Sequence, residues 1–441
     1  MAGQKSPTKT KTFPGIQNLH PEESMRFGEL REALNVDLVG DPERGIKPRI
    51  RPGRSLFVED PGAHSLWSKK GNPFALYGNL AGELKALFPD KSTQVLVTGI
   101  GVRDISFDRV NDRIFWTNGT HCGLVTMNLD VMAWGVENPG QTPVCAPAAA
   151  GGLYPGKYLV GCTFIDRWGR EGGMGAPQVV EVEAGGGIDL TSIPQPLDAD
   201  VTTIRLYVSK AGGEVLFKHQ DVPVGTLTFL VGVAPAGAAL RSSMLFPMPP
   251  GQITRFLNGQ HLVARGRELF YSPGLWFGQV HPSQGRIGFP EKITLMEPVG
   301  DSTPGSGIYI VSGNNTYFLQ TTNLNLGQDV TQRRVKTYGA VPGTCRSVDA
   351  NLIGVEGYGQ IPVPVWLAST GQYQVGLPGG TIITLRQNDA VTDIGDKGAT
   401  MFRESEGHRH LVTSLAGARA PGLRITDRVT VTEYKHYEDG P

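Results

Sequence analysis

The sequence predicts an all-β fold, a β-propeller interrupted by an inserted β-sandwich. Three observations carry this. Short strand-turn-strand units recur every forty to fifty residues, the composition favours tight turns over long helices, and the rhythm breaks between residues near 143 and 235. Asn-Gly and Gly-Asn between apolar, β-branched runs are strong hairpin signals, because a type I′ turn needs positive φ at both central residues. A repeat of about forty residues matches one four-stranded blade. Gly (59) and Pro (32) are plentiful while charged residues make up 19% of the 441, which favours many turns.

The elements follow in order. Met1 to about residue 15 is a polar leader without the apolar core of a signal peptide. Residues 16–142 form the first part of the propeller. Within it, Pro21-Glu-Glu-Ser24 through Leu34 carries a weak amphipathic pattern that reads either as a short helix or as an extended segment. Next, Gly45-Ile-Lys47-Pro-Arg49-Ile-Arg51-Pro-Gly-Arg54 together with the preceding Arg44 holds five cations and no anion. Its two prolines exclude helix and central strand, leaving an exposed loop or an edge segment. Such a stretch is either a solvated loop or a contact for an acidic partner or phosphate; Arg44, Lys47, Arg49, Arg51 and Arg54 are the candidate partner-contact residues.

Hairpins then follow at Gly78-Asn79, between Phe74-Ala-Leu-Tyr77 and Leu84, and at Asn118-Gly119 after Arg113-Ile-Phe-Trp-Thr117. Residues 143–235 form the insert. Tyr158, Val160, Cys162 and Phe164 alternate as one face of a half-buried strand, with further strands at Gln178–Val182, Ile188–Leu190, Thr203–Ser209 and Thr228–Leu230. The Ala, Gly and Pro-rich flanks, Gln141 to Gly152 and Val233 to Arg241, read as linkers. The propeller resumes over 236–441, with hairpins at Asn258-Gly259, Gly313-Asn314, Gly371 and Gly407.

No constellation of catalytic residues stands out. Cys122, Cys145, Cys162 and Cys345 lack metal-like spacing and read as small buried hydrophobes. His408-Arg-His410 would place two imidazoles on one strand face, with no third ligand at a fitting spacing. Gly99-x-Gly101 lacks the third glycine of a dinucleotide loop. Pairs such as Asp104 and Asp108, Glu22 and Glu23, or Glu404 and Glu406 read as turn and surface groups. Trp67, Trp116, Trp276 and Trp366 read as strand core. No metal, cofactor or catalytic residue is therefore expected. Lys plus Arg (41) equals Asp plus Glu (41), against a dedicated nucleic-acid binder. No apolar run is long enough to cross a bilayer as a helix, so no membrane anchor is expected.

Two resemblances add to this reading. The strand ending in Asp166-x-x-Gly169-x-Glu171 and the strand Arg205-x-Tyr207-x-Ser209 resemble a fibronectin type III domain. The opening runs Ile16-Gln-Asn-Leu19, Leu30-Arg-Glu-Ala33-Leu-Asn35-Val-Asp-Leu38, Arg49-Ile-Arg51-Pro-Gly53 and Gly62-Ala-His64-Ser-Leu-Trp67 resemble tail nozzle proteins of short-tailed bacteriophages, also called tail-hub or packaged-DNA stabilisation proteins. Leu34 stands where that family usually has valine. The resemblance extends over most of the chain, to hairpins such as Phe402-x-Glu404-x-Glu406-Gly-His408. It implies a non-enzymatic virion protein, assembled in the host cytoplasm as a ring of six copies beneath a head-to-tail adaptor. Its neighbours would include fibres or spikes and a needle or plug, with genomic DNA passing through the lumen without sequence-specific binding. The rival readings are a propeller enzyme that degrades polysaccharide, whose acids would come from separate blades, and a receptor-binding adhesion module.

Overall fold

The computed structural model describes residues 36–39, 47–50, 57–301, 303–321, 330–385, 391–405 and 408–418. Among them there is no α-helix; strands dominate, and the only helical turns are short 3-10 segments at Ala350–Ile353 and Pro378–Gly380. The weakly amphipathic stretch 21–34 lies outside the described residues. The chain divides into two compact units, one built on 60–289 and one on 290–322 and 330–441 together with 1–59.

In the first unit the chain begins as two consecutive antiparallel meanders. One comprises β3 (His64–Trp67), β4 (Ala75–Gly78), β5 (Leu84–Leu87) and β6 (Thr93–Val97), preceded in the chain by the hairpin β1 (Val36–Val39) and β2 (Lys47–Ile50) of the other unit. The other comprises β7 (Ser106–Val110), β8 (Arg113–Thr117), β9 (Cys122–Thr126) and β10 (Val131–Met132). Phe74, Leu76, Leu84, Ile105, Phe107, Ile114 and Trp116 form one apolar cluster between these two sheets.

Seven strands then make a sandwich: β11 (Val144–Ala148), β12 (Gly156–Asp166), β13 (Gln178–Val182), β14 (Gly187–Thr191), β15 (Val201–Ser209), β16 (Leu216–Pro223) and β17 (Phe229–Val231). They pair as a three-stranded sheet, β11-β14-β17, and a four-stranded sheet, β13-β12-β15-β16. The alternating Tyr158, Val160, Cys162 and Phe164 are all buried in its core, with Ile188, Leu190, Ile204 and Leu206. The flanks differ from the linkers expected. Val144–Ala148 is an edge strand whose Pro147 stands opposite Ile188, a position where a missing N–H is tolerated. Downstream, the Lys218 N–H donates to the Ala238 carbonyl, the Gly237 N–H to the Lys218 carbonyl and the Leu240 N–H to the Leu216 carbonyl, so this segment covers the free edge of β16. Backbone pairing with a sheet edge outweighs the loop-like composition of both flanks.

The chain returns through the two-residue strand β18 (Phe246–Pro247) to a third meander of β19 (Ile253–Leu257), β20 (Gln260–Arg265), β21 (Glu268–Tyr271) and β23 (Arg286–Gly288), while β22 (Gln279–Val280) pairs with β18. Asn258 (φ 48°) and Gly259 (φ 73°) take the two positive-φ positions of the β19–β20 turn, as the dipeptide requires.

The second unit carries two more meanders: β24 (Ile293–Val299), β25 (Gly307–Ser312), β26 (Asn315–Thr321) and β27 (Val330–Lys336), then β28 (Arg346–Asp349), β29 (Pro362–Leu367), β30 (Tyr373–Gly376) and β31 (Ile382–Thr384). A long hairpin, β32 (Lys397–Ser405) with β33 (His408–Ala416), follows. Tyr309, Phe318 and the fully buried Trp366 centre its core, against which Phe402 and Leu411 pack. The Tyr309 hydroxyl lies 2.6 Å from the Leu377 carbonyl and 2.8 Å from that of Thr381. All six hairpins read from sequence are present in register.

Candidate functional site

Within the basic stretch Lys47–Ile50 is an edge strand, one of the two forms its prolines left open. Lys47–Ile50 pairs only with Val36–Val39 among the described residues, setting Arg49 opposite Asp37 and Lys47 opposite Val39. Arg44, Arg51 and Arg54 lie outside the described residues. The backbone therefore sets Lys47 and Arg49 at alternate positions of one strand.

The most constructed polar region is the root of the sandwich, where the chain leaves the second meander and enters the third. These two meanders bond directly to each other. Thr117, fully buried at the end of β8, donates its hydroxyl to the Gly251 carbonyl (2.7 Å) and accepts the Gly251 N–H (3.1 Å). Asp108 accepts the N–H of Phe256 at 3.1 Å, and Arg255 reaches Ser106 Oγ at 3.1 Å. Asp108 is thus a bridging acid rather than a surface group, a role that only contact across some 148 residues of chain creates.

Around this junction the segment Trp276–Val280 clamps the chain on both sides of the sandwich. The Trp134 indole N–H donates to the Met248 carbonyl (2.7 Å), the Met248 N–H to the Gly278 carbonyl (2.7 Å), and Gln279 Nε2 to the Val136 carbonyl (3.0 Å). Only glycine serves at 278: φ is +79°, and a Cβ would stand 1.8 Å from the Trp134 carbonyl oxygen. The sandwich adds its own brace. Asp166 Oδ1 accepts the N–H groups of Trp168 and Arg170, shaping the Asp166–Gly169 turn. Arg170 in turn bonds Asp166 Oδ2 (2.7 Å) and the carbonyls of Ala133 and Trp134. Trp276 lies in this clamp, half-buried and outside any strand, and Trp67 is half-buried; Trp116 and Trp366 are buried in strands as expected.

At the centre sits His261, fully buried on β20. Its ring stacks on Phe256 (centroids 4.7 Å apart) and meets Phe115 and Trp134 at 5.0 Å each. The Gly278 N–H points at Nδ1 (3.2 Å) and Nε2 lies 2.8 Å from Thr254 Oγ1. Since an amide can only donate, Nδ1 is the bare nitrogen and Nε2 carries the proton. Burial pushes its pKa down to about 3, so the ring is neutral at physiological pH.

Two further polar clusters are fully partnered. On the sandwich face, Glu171 accepts from Thr163 (2.7 Å), Tyr207 (2.7 Å) and Arg205 (3.0 Å), and Arg205 also grips Asp221. Burial and the Glu171 bond push Tyr207 up, while the Arg205 guanidinium helps hold Asp221 below the usual carboxylate range. On the first meander, Asp60 is held down, against its burial, by bonds from Lys85, Tyr77 and Asn79. Each is a satisfied network of structural groups.

A cavity of about 320 Å³ is lined by Val97 to Ile100, Trp116, His121 to Gly123 and Val131 to Ala133. Cys162 is buried as expected, whereas Cys122, Cys145 and Cys345 are half-buried; all four are free thiols. Among the described residues no three His, Cys, Asp or Glu side chains come together as a metal site, and no helix is long and apolar enough to cross a membrane.

No protein-family model and no curated protein matches the chain. Solved structures similar to it include YCF48 from Cyanidioschyzon merolae, 9% identical, with 87% of this chain and 97% of that chain covered and a TM-score of 0.31. The WD40 domain of Pan2 from Neurospora crassa is 9% identical over 80% of this chain and 86% of that one, with a TM-score of 0.31. Virginiamycin B lyase from Staphylococcus aureus is 10% identical over 81% and 96%, with a TM-score of 0.28. At such scores the likeness assigns neither a relative nor an activity.

Proposed function

We propose that the chain is a structural virion protein of a short-tailed bacteriophage. In this reading it is a β-propeller carrying a fibronectin III-like insert, and it forms a ring of six copies beneath the head-to-tail adaptor that conducts and retains the genome. The observation that carries the proposal is the ordered run of opening motifs, Ile16-Gln-Asn-Leu19 through Gly62-Ala-His64-Ser-Leu-Trp67, on a chain whose sandwich interrupts a succession of meanders. The direct bonds between the meanders on either side of the insert support the interrupted architecture. Four-stranded sheets whose inner strands are fully paired suit a stiff ring wall, and a charge-balanced chain suits a conduit from which DNA must slide freely.

In this reading the edge strand Lys47–Ile50 is the contact for a neighbouring tail protein. Sedimentation of the purified chain should show monomer or a small oligomer alone and a discrete ring once the adaptor is added. Lys47→Glu with Arg49→Glu should abolish ring formation on the adaptor while leaving Tm nearly unchanged. A stable two-fold dimer indifferent to the adaptor, or hydrolysis of host polysaccharide abolished by one carboxylate substitution, would overturn the reading.

A further inference from the structure

The clamp at the sandwich root closes on a histidine, and its hydrogen bonds work for one protonation state only. The Gly278 N–H is satisfied by the lone pair of His261 Nδ1, and the same Gly278 receives Met248 through its carbonyl. The adjoining Gln279–Val280 pairs with Phe246–Pro247 on the returning chain, and Gln279 also holds Val136 on the outgoing one. We propose that His261 is an acid-sensitive latch: a proton on Nδ1 expels the Gly278 N–H and so releases the segment that fixes both ends of the inserted sandwich.

Among the described residues, the groups given in contact with the His261 ring are Phe115, Trp134, Phe256, Thr254 and Gly278, none of them charged. The segments 133–135 and 272–278 carry no titratable side chain. From β8 comes Phe115, with Arg113 at the strand's opposite end. On β19 the Arg255 guanidinium is spent on Ser106 Oγ and the Phe107 and Thr254 carbonyls. On β7, Asp108 is engaged with the Phe256 N–H. On β20 itself Arg265 lies exposed at the far end, and β21 brings Glu268, facing Arg286, and Tyr271, bonded to the Gln284 carbonyl. An imidazolium would therefore be both desolvated and short of an acceptor, and the cheaper course in acid is to open the clamp.

The sign follows from the two protonation equilibria. An opened His261 titrates near the ordinary value of 6.5, while the closed one is held down to about 3 by burial. Well above pH 6.5 the opening constant does not depend on pH; it doubles by pH 6.5, then approaches a tenfold rise per pH unit, and is about 30-fold higher at pH 5. Amide hydrogen exchange on the full chain, corrected for intrinsic pH dependence, should show peptides covering 134–138, 245–251 and 276–280 losing protection about 30-fold between pH 8 and 5. The core of the four-stranded sandwich sheet should keep its protection. His261→Gln, whose amide can accept from Gly278 and donate to Thr254 without titrating, should flatten this pH dependence. Should that variant fail to fold, exchange at the His261 ring C2 position in the unaltered protein gives the answer. A midpoint at or above pH 6, or root peptides whose protection does not change with pH, would overturn the latch.

Discussion

Replacing Thr117 by Val tests whether the second and third meanders truly depend on each other. The two side chains have nearly the same shape, so the substitution removes one hydroxyl and little else. That hydroxyl donates to the Gly251 carbonyl at 2.7 Å and receives the Gly251 N–H at 3.1 Å, in a fully buried place. Without it, a buried amide and a buried carbonyl of the same residue lose their partner. An orphaned buried group costs about 1 to 3 kcal/mol, so the two together should cost about 2 to 6 kcal/mol. Thr117→Ser keeps both bonds and loses one methyl, which should cost about 1 kcal/mol. The assay is urea denaturation of the full chain, following tryptophan fluorescence, because Trp116 and Trp134 both lie at this junction. A chain with more than one domain need not unfold in a single step, so the comparison rests on the midpoint of the transition those tryptophans report. If Val is no more damaging than Ser, the Thr117–Gly251 exchange does not hold the junction.

Two other outcomes follow from named contacts. Gly278→Ala puts a methyl into the Trp134 carbonyl at a positive φ, so it should yield a chain whose root peptides exchange freely at neutral pH, or little folded protein at all. In the second unit the indole N–H of the fully buried Trp366 has no hydrogen-bond partner among the described residues. Trp366→Phe removes that orphan together with some apolar bulk and should cost less than about 1.5 kcal/mol in chemical denaturation, against about 3 to 5 for Trp366→Ala.

The hairpins were legible because the signal is local. Asn258-Gly259 determines a turn by backbone sterics alone, and alternation along Tyr158 to Phe164 declares a buried face. What stayed hidden has its cause far away in sequence. Val144-Cys-Ala-Pro-Ala148 has the composition of a linker, and it is a strand only because Gly187–Thr191 lies beside it. Asp108 reads as a surface acid until Phe256 offers it an N–H, and His261 reads as one more residue of a hairpin until Gly278 and Trp134 close over it. Trp276 and Gly278 sit in text that looks like an ordinary turn, and their work is the clamp. The prolines of the basic stretch left a loop or an edge open, Lys47–Ile50 takes the edge, and charge spacing says nothing of which partner meets Lys47 and Arg49.

The bonds between Thr117 and Gly251 also constrain the order in which this molecule acquires its structure. Bringing those residues together closes a loop of more than a hundred residues, and an unstructured loop of that length is slow to close. Once the sandwich has formed, most of that loop is already rigid, and the remaining search is limited to the short stretches on either side of it. The sandwich then acts as an intramolecular splint. Mutations in its core, such as at Phe164 or Ile204, should slow the docking of two sheets to which neither residue belongs.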